Sequence, residues 1–106
     1  MAQHVVIKLL KVANALSGDT ITVDVRLDDK THKTPVGAVR DLVLLAFDKR
    51  SGWQRRVTLV EKSPGFYSAV LPIAGAAARF DLLVSSATHD MPFGAGFIGA
   101  YEVQKP

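Results

Sequence analysis

Residues 19–28 alternate strictly between apolar and polar side chains, and this alternation constrains the fold of the chain more than any other feature. The apolar set is Ile21, Val23, Val25 and Leu27. Because successive side chains of a strand point to opposite faces, the pattern predicts a strand with one buried and one solvated face. Turn-forming residues bound the segment on both sides, at residues 17–18 and 28–30.

Further segments have the length and composition of strands and are separated by turn-forming residues. They are residues 5–12, 41–48, 53–60, 66–71, 79–85 and 97–103. Short strands with turns every 8–12 residues are typical of a sandwich or barrel, and seven strands are the number in an immunoglobulin constant-type domain. The sequence therefore predicts an all-β, seven-stranded antiparallel immunoglobulin-like β-sandwich, with residues 1–106 as a single domain.

Residues 36–47 also fit an amphipathic helix, because Val36, Val39 and Val43 recur at helical spacing. We predict a strand at residues 41–48 instead, since residues 42–47 are apolar without interruption and a turn follows them. Continuous apolarity is typical of a central strand that is covered on both faces.

Alternation also predicts the centre of the core. Val25, Tyr67, Phe80 and Leu82 each lie on the apolar side of a predicted strand, and polar neighbours such as Asp24, Ser68 and Asp81 lie on the other. A register slip of one residue would bury aspartates, so we expect these four side chains to form one contiguous core between the sheets.

Composition excludes several function classes. The chain has no cysteine, which excludes a disulfide framework, a thiolate zinc site and a cysteine nucleophile. Its net charge is +3, but basic and acidic residues are interleaved along the chain, so we predict no nucleic-acid binding. No uninterrupted apolar run reaches the ~18 residues of a membrane helix, and residues 1–4 do not resemble a signal peptide. We expect no membrane insertion.

Two later segments resemble a known class of module. Residues 65–72, which begin Gly65-Phe66-Tyr67, and residues 79–86, which begin Arg79-Phe80, resemble bacterial extracytoplasmic immunoglobulin-like or fibronectin-like β-sandwich modules. Together with the strand that begins at Trp53 and follows the segment 41–45, they are similar to modules appended to bacterial periplasmic propeller or cytochrome-type proteins. The resemblance implies an accessory domain in a periplasmic or extracellular setting and carries over no catalytic residue. Residues 76–78, all alanine, depart from its usual strand junction.

Enzyme motifs are absent from the sequence, and we predict neither a catalytic residue nor a cofactor. Gly94, Gly96 and Gly99 satisfy G-x-G-x-x-G, but that motif marks a dinucleotide site only where it opens a helix. Aromatic and β-branched residues follow it here, so we interpret it as the approach to the last strand.

Residues 88–94 place imidazole, carboxylate and thioether close together. His89 and Met91, with His32 or His4 brought in by the fold, would suit copper. Alternatively Asp90 holds a turn and Met91 caps the core edge. We predict no metal site, because too few ligands converge, and keep a periplasmic copper-handling sandwich as the second hypothesis.

The first hypothesis is a non-catalytic accessory or protein-interaction domain. Its predicted interaction surface comprises Leu42, Val43, Leu45, Phe47 and Trp53. The expected partner is another protein, a neighbouring domain or a second copy of the chain. Trp53, between residues 49–50 and the arginines at 55–56, fits two other interpretations: a site for a polyanion or glycan, or a core tryptophan.

Overall fold

The computed structural model describes residues 5–14, 19–73, 79–89, 91–93 and 96–102, and these residues form eight strands. The strands are β1 (Val5–Asn14), β2 (Thr20–Asp29), β3 (Val43–Phe47), β4 (Gln54–Thr58), β5 (Val60–Ser63), β6 (Phe66–Pro72), β7 (Arg79–Ser85) and β8 (Phe97–Glu102). A short 3-10 turn lies at Ala87–His89, and the described part contains no α-helix. The predicted all-β class is therefore confirmed.

The strands form two four-stranded antiparallel sheets. Sheet A has the order β1-β2-β6-β5, and sheet B has the order β4-β3-β7-β8. One cluster of buried side chains draws on both sheets, as expected for a β-sandwich-like arrangement of two facing layers. Residues 1–4, 17–18, 74–78 and 103, on which parts of the sequence predictions fall, lie outside the described residues.

The count of eight strands differs from the predicted seven because the predicted strand 53–60 is divided at Leu59. Residues before Leu59 pair with β3 in sheet B, and residues after it pair with β6 in sheet A. Leu59 itself is 1% exposed and belongs to the core, and its N–H donates to the carbonyl of Leu42 at 2.8 Å. One short segment therefore crosses from one sheet to the other with its apolar side chain anchored between them.

The predicted core is confirmed. Val25, Tyr67, Phe80 and Leu82 are at most 2% exposed and belong to one cluster. The buried Tyr67 hydroxyl is satisfied by donating to the carbonyl of Val36 at 2.8 Å and accepting from the N–H of Val39 at 3.1 Å. Burial raises the pKa of Tyr67, and its neutral hydroxyl fixes the irregular segment that precedes β3.

Strand β3 confirms the interpretation of residues 41–48 as a strand instead of part of a helix. It lies inside sheet B, with β4 on one side and β7 on the other. Leu44 and Ala46 point into the core and are fully buried, as is Leu42 just before the strand. Val43, Leu45 and Phe47 consequently point to the outer side of the sheet.

Candidate interaction surface

The outer face of sheet B is apolar along its interior strand β3, whereas the other interior strand, β7, adds only Leu83 to the polar Arg79, Asp81 and Ser85. Strand register places Leu45 of β3 beside Leu83 of β7, and Leu83 beside Phe97 of β8. Paired residues in antiparallel strands share a face, so a row of apolar side chains runs from β3 to the edge strand. Val43 and Phe47 lie above and below Leu45 on the same face. Phe97 is 57% exposed at the edge of the row.

The outer face of sheet A has a different character. The outward residues of its interior strand β2 are Thr20, Thr22, Asp24, Arg26 and Asp28. Their polar groups bond within the face: the Ser68 hydroxyl donates to Asp24 at 2.6 Å, and Arg26 Nε donates to Asp28 at 2.8 Å. Exposed apolar residues of sheet A, such as Val70, flank this polar centre. Sheet A thus has a polar centre with exposed apolar residues around it, at Val6, Leu10, Val60 and Val70, whereas the apolar residues of sheet B lie at the centre of its face.

A cation on this face contacts an aromatic ring from the connection that follows β7. Arg56 of β4 is the cross-strand partner of Leu45, and its guanidinium carbon lies 5.3 Å from the ring centroid of Phe93. This distance permits a cation–π interaction worth about 0.5–1 kcal/mol at an exposed site. Leu45 is only 8% exposed although it points outward. Its cross-strand neighbour Arg56 has a long side-chain stem that can cover apolar surface.

Charges on the outward strand residues of sheet B are balanced. Arg56 and Arg79 supply two cations, and Asp81 and Glu102 supply two carboxylates, among the described strand residues of this face. Arg56 is level with Leu45, whereas Asp81 is level with Phe47 on the opposite side of β3. The face therefore carries opposite charges at diagonal positions around an apolar centre, while the whole chain carries +3.

Three of the five residues predicted for the interaction surface lie on this face: Val43, Leu45 and Phe47. Leu42 lies in the core with no exposed surface, so it belongs to the opposite side of the strand. Trp53 also packs inward, with its ring centroid 5.1 Å from that of Phe80, and Phe80 lies 5.6 Å from Tyr101. The core interpretation of Trp53 is the one that the structure supports.

Sequence reasoning missed Leu83, Phe93 and Phe97 as members of the same face. Leu83 could have been found from alternation, because it points away from the inward Phe80 and Leu82. Alternation would instead place Phe97 with the inward Tyr101, and only the register shift next to Leu83 turns Phe97 outward. Phe93 had no periodic signal, since it comes from the connection between β7 and β8. Only the three-dimensional path of that connection brings it over β4.

The basic hairpin beside Trp53 borders a small cleft. A cavity of about 250 Å³ is lined by Phe47, Asp48, Lys49, Arg50, Arg79, Phe80 and Asp81. Drug-sized ligands occupy pockets of about 300–1,000 Å³, so this cleft is small for a glycan. Asp48 accepts hydrogen bonds from the hydroxyl and N–H of Ser51 and from the N–H of Arg50, which lowers its pKa. The charged Asp48 carboxylate weakens the attraction that the neighbouring Lys49 and Arg50 would exert on a polyanion.

The candidate copper ligands that the structure describes lie apart from one another, and each has its own contacts. Met91 is 1% exposed and packs in the core, which matches the alternative that it caps the core edge. His89 Nδ1 lies 3.2 Å from the Ser86 hydroxyl, whereas His32 Nδ1 lies 3.2 Å from Asp29 within its own turn. No group of three or more His, Cys, Asp or Glu side chains among the described residues could hold a metal ion. His4 and Asp90 lie outside the described residues.

Asp41 organises the connection that follows β7. Its carboxylate accepts from the Ser86 hydroxyl, the Thr88 hydroxyl and the Thr88 N–H, each at 2.8 Å. Burial raises the pKa of Asp41, but these three hydrogen bonds outweigh it and the net shift is downward. The carboxylate therefore stays ionised and ties the start of β3 to the 3-10 turn.

His89 adjoins this network. Its Nδ1 lies 3.2 Å from the Ser86 hydroxyl and 3.1 Å from the Thr88 hydroxyl. Both hydroxyls donate to Asp41, and a protonated Nδ1 can donate to them in turn. Ser, His and Asp are thus close together, but the arrangement differs from a hydrolase triad, in which the imidazole accepts the serine proton. Ser86 is also fully buried, so a substrate carbonyl cannot reach it.

The glycine motif opens a strand. Gly96 is followed by β8, as the sequence interpretation predicted. A Cβ on Gly96 would collide with the backbone carbonyl of Val84, and the Gly96 carbonyl accepts from the Val84 N–H at 2.8 Å. Gly96 therefore permits close strand approach, while Gly94 lies outside the described residues.

Neither protein-family models, nor curated proteins, nor solved structures yielded a match to this chain. Within the described part of the chain, no helix has the length and apolarity needed to cross a bilayer.

Proposed function

We propose that this chain is a non-catalytic protein-interaction domain that docks through the outer face of sheet B. The observation that carries the proposal is that β3 is apolar on both sides although only one side faces the core. In sheet A, the equivalent interior strand β2 is apolar inward and polar outward. A sheet face that contacts only water typically carries polar residues along its interior strands, whereas β3 carries valine, leucine and phenylalanine there.

The dimensions of the face suit a modest contact. Four strands about 4.8 Å apart and outward residues about 6.7 Å apart give a face of roughly 300–400 Å². This area includes the polar residues of the face, and it is smaller than the roughly 800 Å² that a standard interface buries on each partner. A transient partner or an adjoining domain fits this area better than an obligate subunit does.

The strand order supports the finer assignment to an immunoglobulin-like sandwich. The constant-type arrangement has strands A-B-E-D in one sheet and C-F-G in the other, and variable-type domains add a strand beside C. Chain order maps β1-β2-β6-β5 onto the first sheet, and maps β3, β7 and β8 onto C, F and G. Strand β4 takes the position of the added strand. An accessory module of the bacterial periplasmic or extracellular kind accords with this proposal.

Site-specific photocrosslinking tests the docking surface even while the partner is unidentified. A benzophenone side chain placed at Phe97 should give covalent protein adducts in cells that express the chain. The control is the same group at Val70, which is 56% exposed on sheet A against 57% for Phe97. Adducts specific to position 97 are expected. Absence of adducts there, or equal yields at both positions, would contradict the proposal.

A further inference from the structure

We infer that the partner of this face is a second copy of the same chain, an inference that rests on the proposed function above. The argument is the charge pattern of the outer face of sheet B. An isologous contact sets the same face of two molecules against each other, so residue i meets residue j and j meets i. A face fits itself when its cations and carboxylates exchange places across the two-fold axis.

Arg56 and Asp81 meet that condition. Arg56 lies on β4 beside Leu45, and Asp81 lies on β7 beside Phe47. The two charged residues are therefore on opposite sides of β3, and they differ by one outward-facing position along the strands. A two-fold axis in the plane of the contact, passing over β3 between Leu45 and Phe47, brings Arg56 of each copy toward Asp81 of the other. The half-buried Phe47 then lies beside the axis, and two symmetric ion pairs flank it.

The overall balance of charge points the same way. Two copies of a chain with charge +3 repel one another in general. The outward strand residues of sheet B carry two cations and two carboxylates, so this face lacks that excess. An acidic partner would be matched by a surplus of cations, which the described strand residues of this face do not have. The cation–π contact with Phe93 already restricts the Arg56 guanidinium, which lowers the entropic cost of ordering it.

Sedimentation equilibrium on the purified chain is the direct test. A face of this size predicts reversible dimers with a Kd of roughly 10 μM to 1 mM. Phe97→Asp should weaken association by at least about tenfold, since it places a charge in the apolar row. Val70→Asp, a matched change on the opposite sheet, should leave Kd within about threefold of the parent value.

A charge exchange tests the pairing itself. Arg56→Glu and Asp81→Arg should each weaken dimers by at least about tenfold, and the double variant should recover association to within about threefold of the parent. Lys8→Glu is the control for net charge, because it changes the charge as Arg56→Glu does but lies on sheet A. Loss in both single variants without recovery in the double variant would overturn the Arg56–Asp81 pairing and this two-fold arrangement.

Dilution of the unmodified chain gives a test that needs no variant. Backbone amide shifts of β3, β4 and β7 should change with concentration, while those of β2 stay constant. A chain that remains monomeric at about 1 mM overturns the inference. If position 97 nevertheless forms adducts with a different protein, the docking function stands and only the identity of the partner is wrong.

Discussion

The N–H of Leu59 donates to the carbonyl of Leu42 at 2.8 Å, where the chain leaves sheet B for sheet A. Both side chains are buried, so the bond lies at the junction of the two sheets and the core. The strand before Leu59 and the strand after it belong to different sheets, and the buried leucine fixes the residue at which the transfer occurs.

Leu59→Ala should lower the free energy of unfolding by about 2–5 kcal/mol, because it leaves a cavity between the layers. Val60→Ala is the matched control. Val60 is 57% exposed, so its truncation should change the free energy by no more than about 0.5 kcal/mol. Urea denaturation of both variants checks the prediction, and similar losses would place the sheet crossing elsewhere.

Phe80→Ala should cost about 3–5 kcal/mol of stability, since Phe80 packs between Trp53 and Tyr101 in the core. Asp81→Asn, one residue away on the outer face, should cost less than about 0.5 kcal/mol. Denaturant melts at low protein concentration compare the two without interference from association. Equal midpoints would mean that the faces of β7 are assigned wrongly.

Two glycines with positive φ provide a test of steric contact. Gly65 has φ +84°, and a Cβ there would collide with Pro35; Gly52 has φ +79° and open space around it. Gly52→Ala should cost about 1–2 kcal/mol, from backbone strain alone. Gly65→Ala should cost distinctly more, because the Pro35 backbone must also move. Thermal melts rank the variants, and the reverse order would contradict the close packing of the turn on Pro35.

Asp41 gives the fold a defined acid sensitivity. Its pKa in the folded chain lies below the ordinary value of about 3.9, so the unfolded chain binds the proton more readily. The stabilisation is therefore present above about pH 4 and is lost as pH falls through the lower, folded-state pKa. Asp41→Asn should cost about 1–3 kcal/mol at neutral pH.

The difference between the parent chain and Asp41→Asn should shrink as pH falls below about 4 and passes through the lowered pKa of Asp41. Urea unfolding at several pH values measures this convergence. Thr88→Val, which removes one of the donors to Asp41, should show a smaller loss with the same pH trend. A difference that stays constant with pH would show that the carboxylate charge does not stabilise the turn.

Alternation predicted those parts of the fold in which one face of a strand is buried. Val25 and Phe80 lie in the core as expected, because a shift of one residue in either strand would bury an aspartate. The uninterrupted apolar run 42–47 predicted an interior strand for a different reason: a strand that is apolar on both sides is typical of positions where both sides are covered.

Other features depend on contacts between distant parts of the chain. The pattern of residues 53–60 continues smoothly across Leu59, so alternation alone does not reveal the crossing. Met91 lies in an irregular connection and has no periodicity to predict its burial. The hydrogen bond from Ser86 to Asp41 joins residues 45 positions apart, and only the packing of two loops brings them together.

Strand β3 has a further consequence for the behaviour of the protein in solution. Residues 42–47 form an apolar, β-prone stretch without charge or proline, the composition that favours cross-β aggregation when a chain opens. Hydrogen bonds to β4 and β7 on its two sides keep its backbone from pairing with other chains. Asp41 and Asp48 stand at its two ends as charged gatekeepers. Storage lifetime should therefore follow the rate at which β4 detaches, more closely than the global stability of the fold.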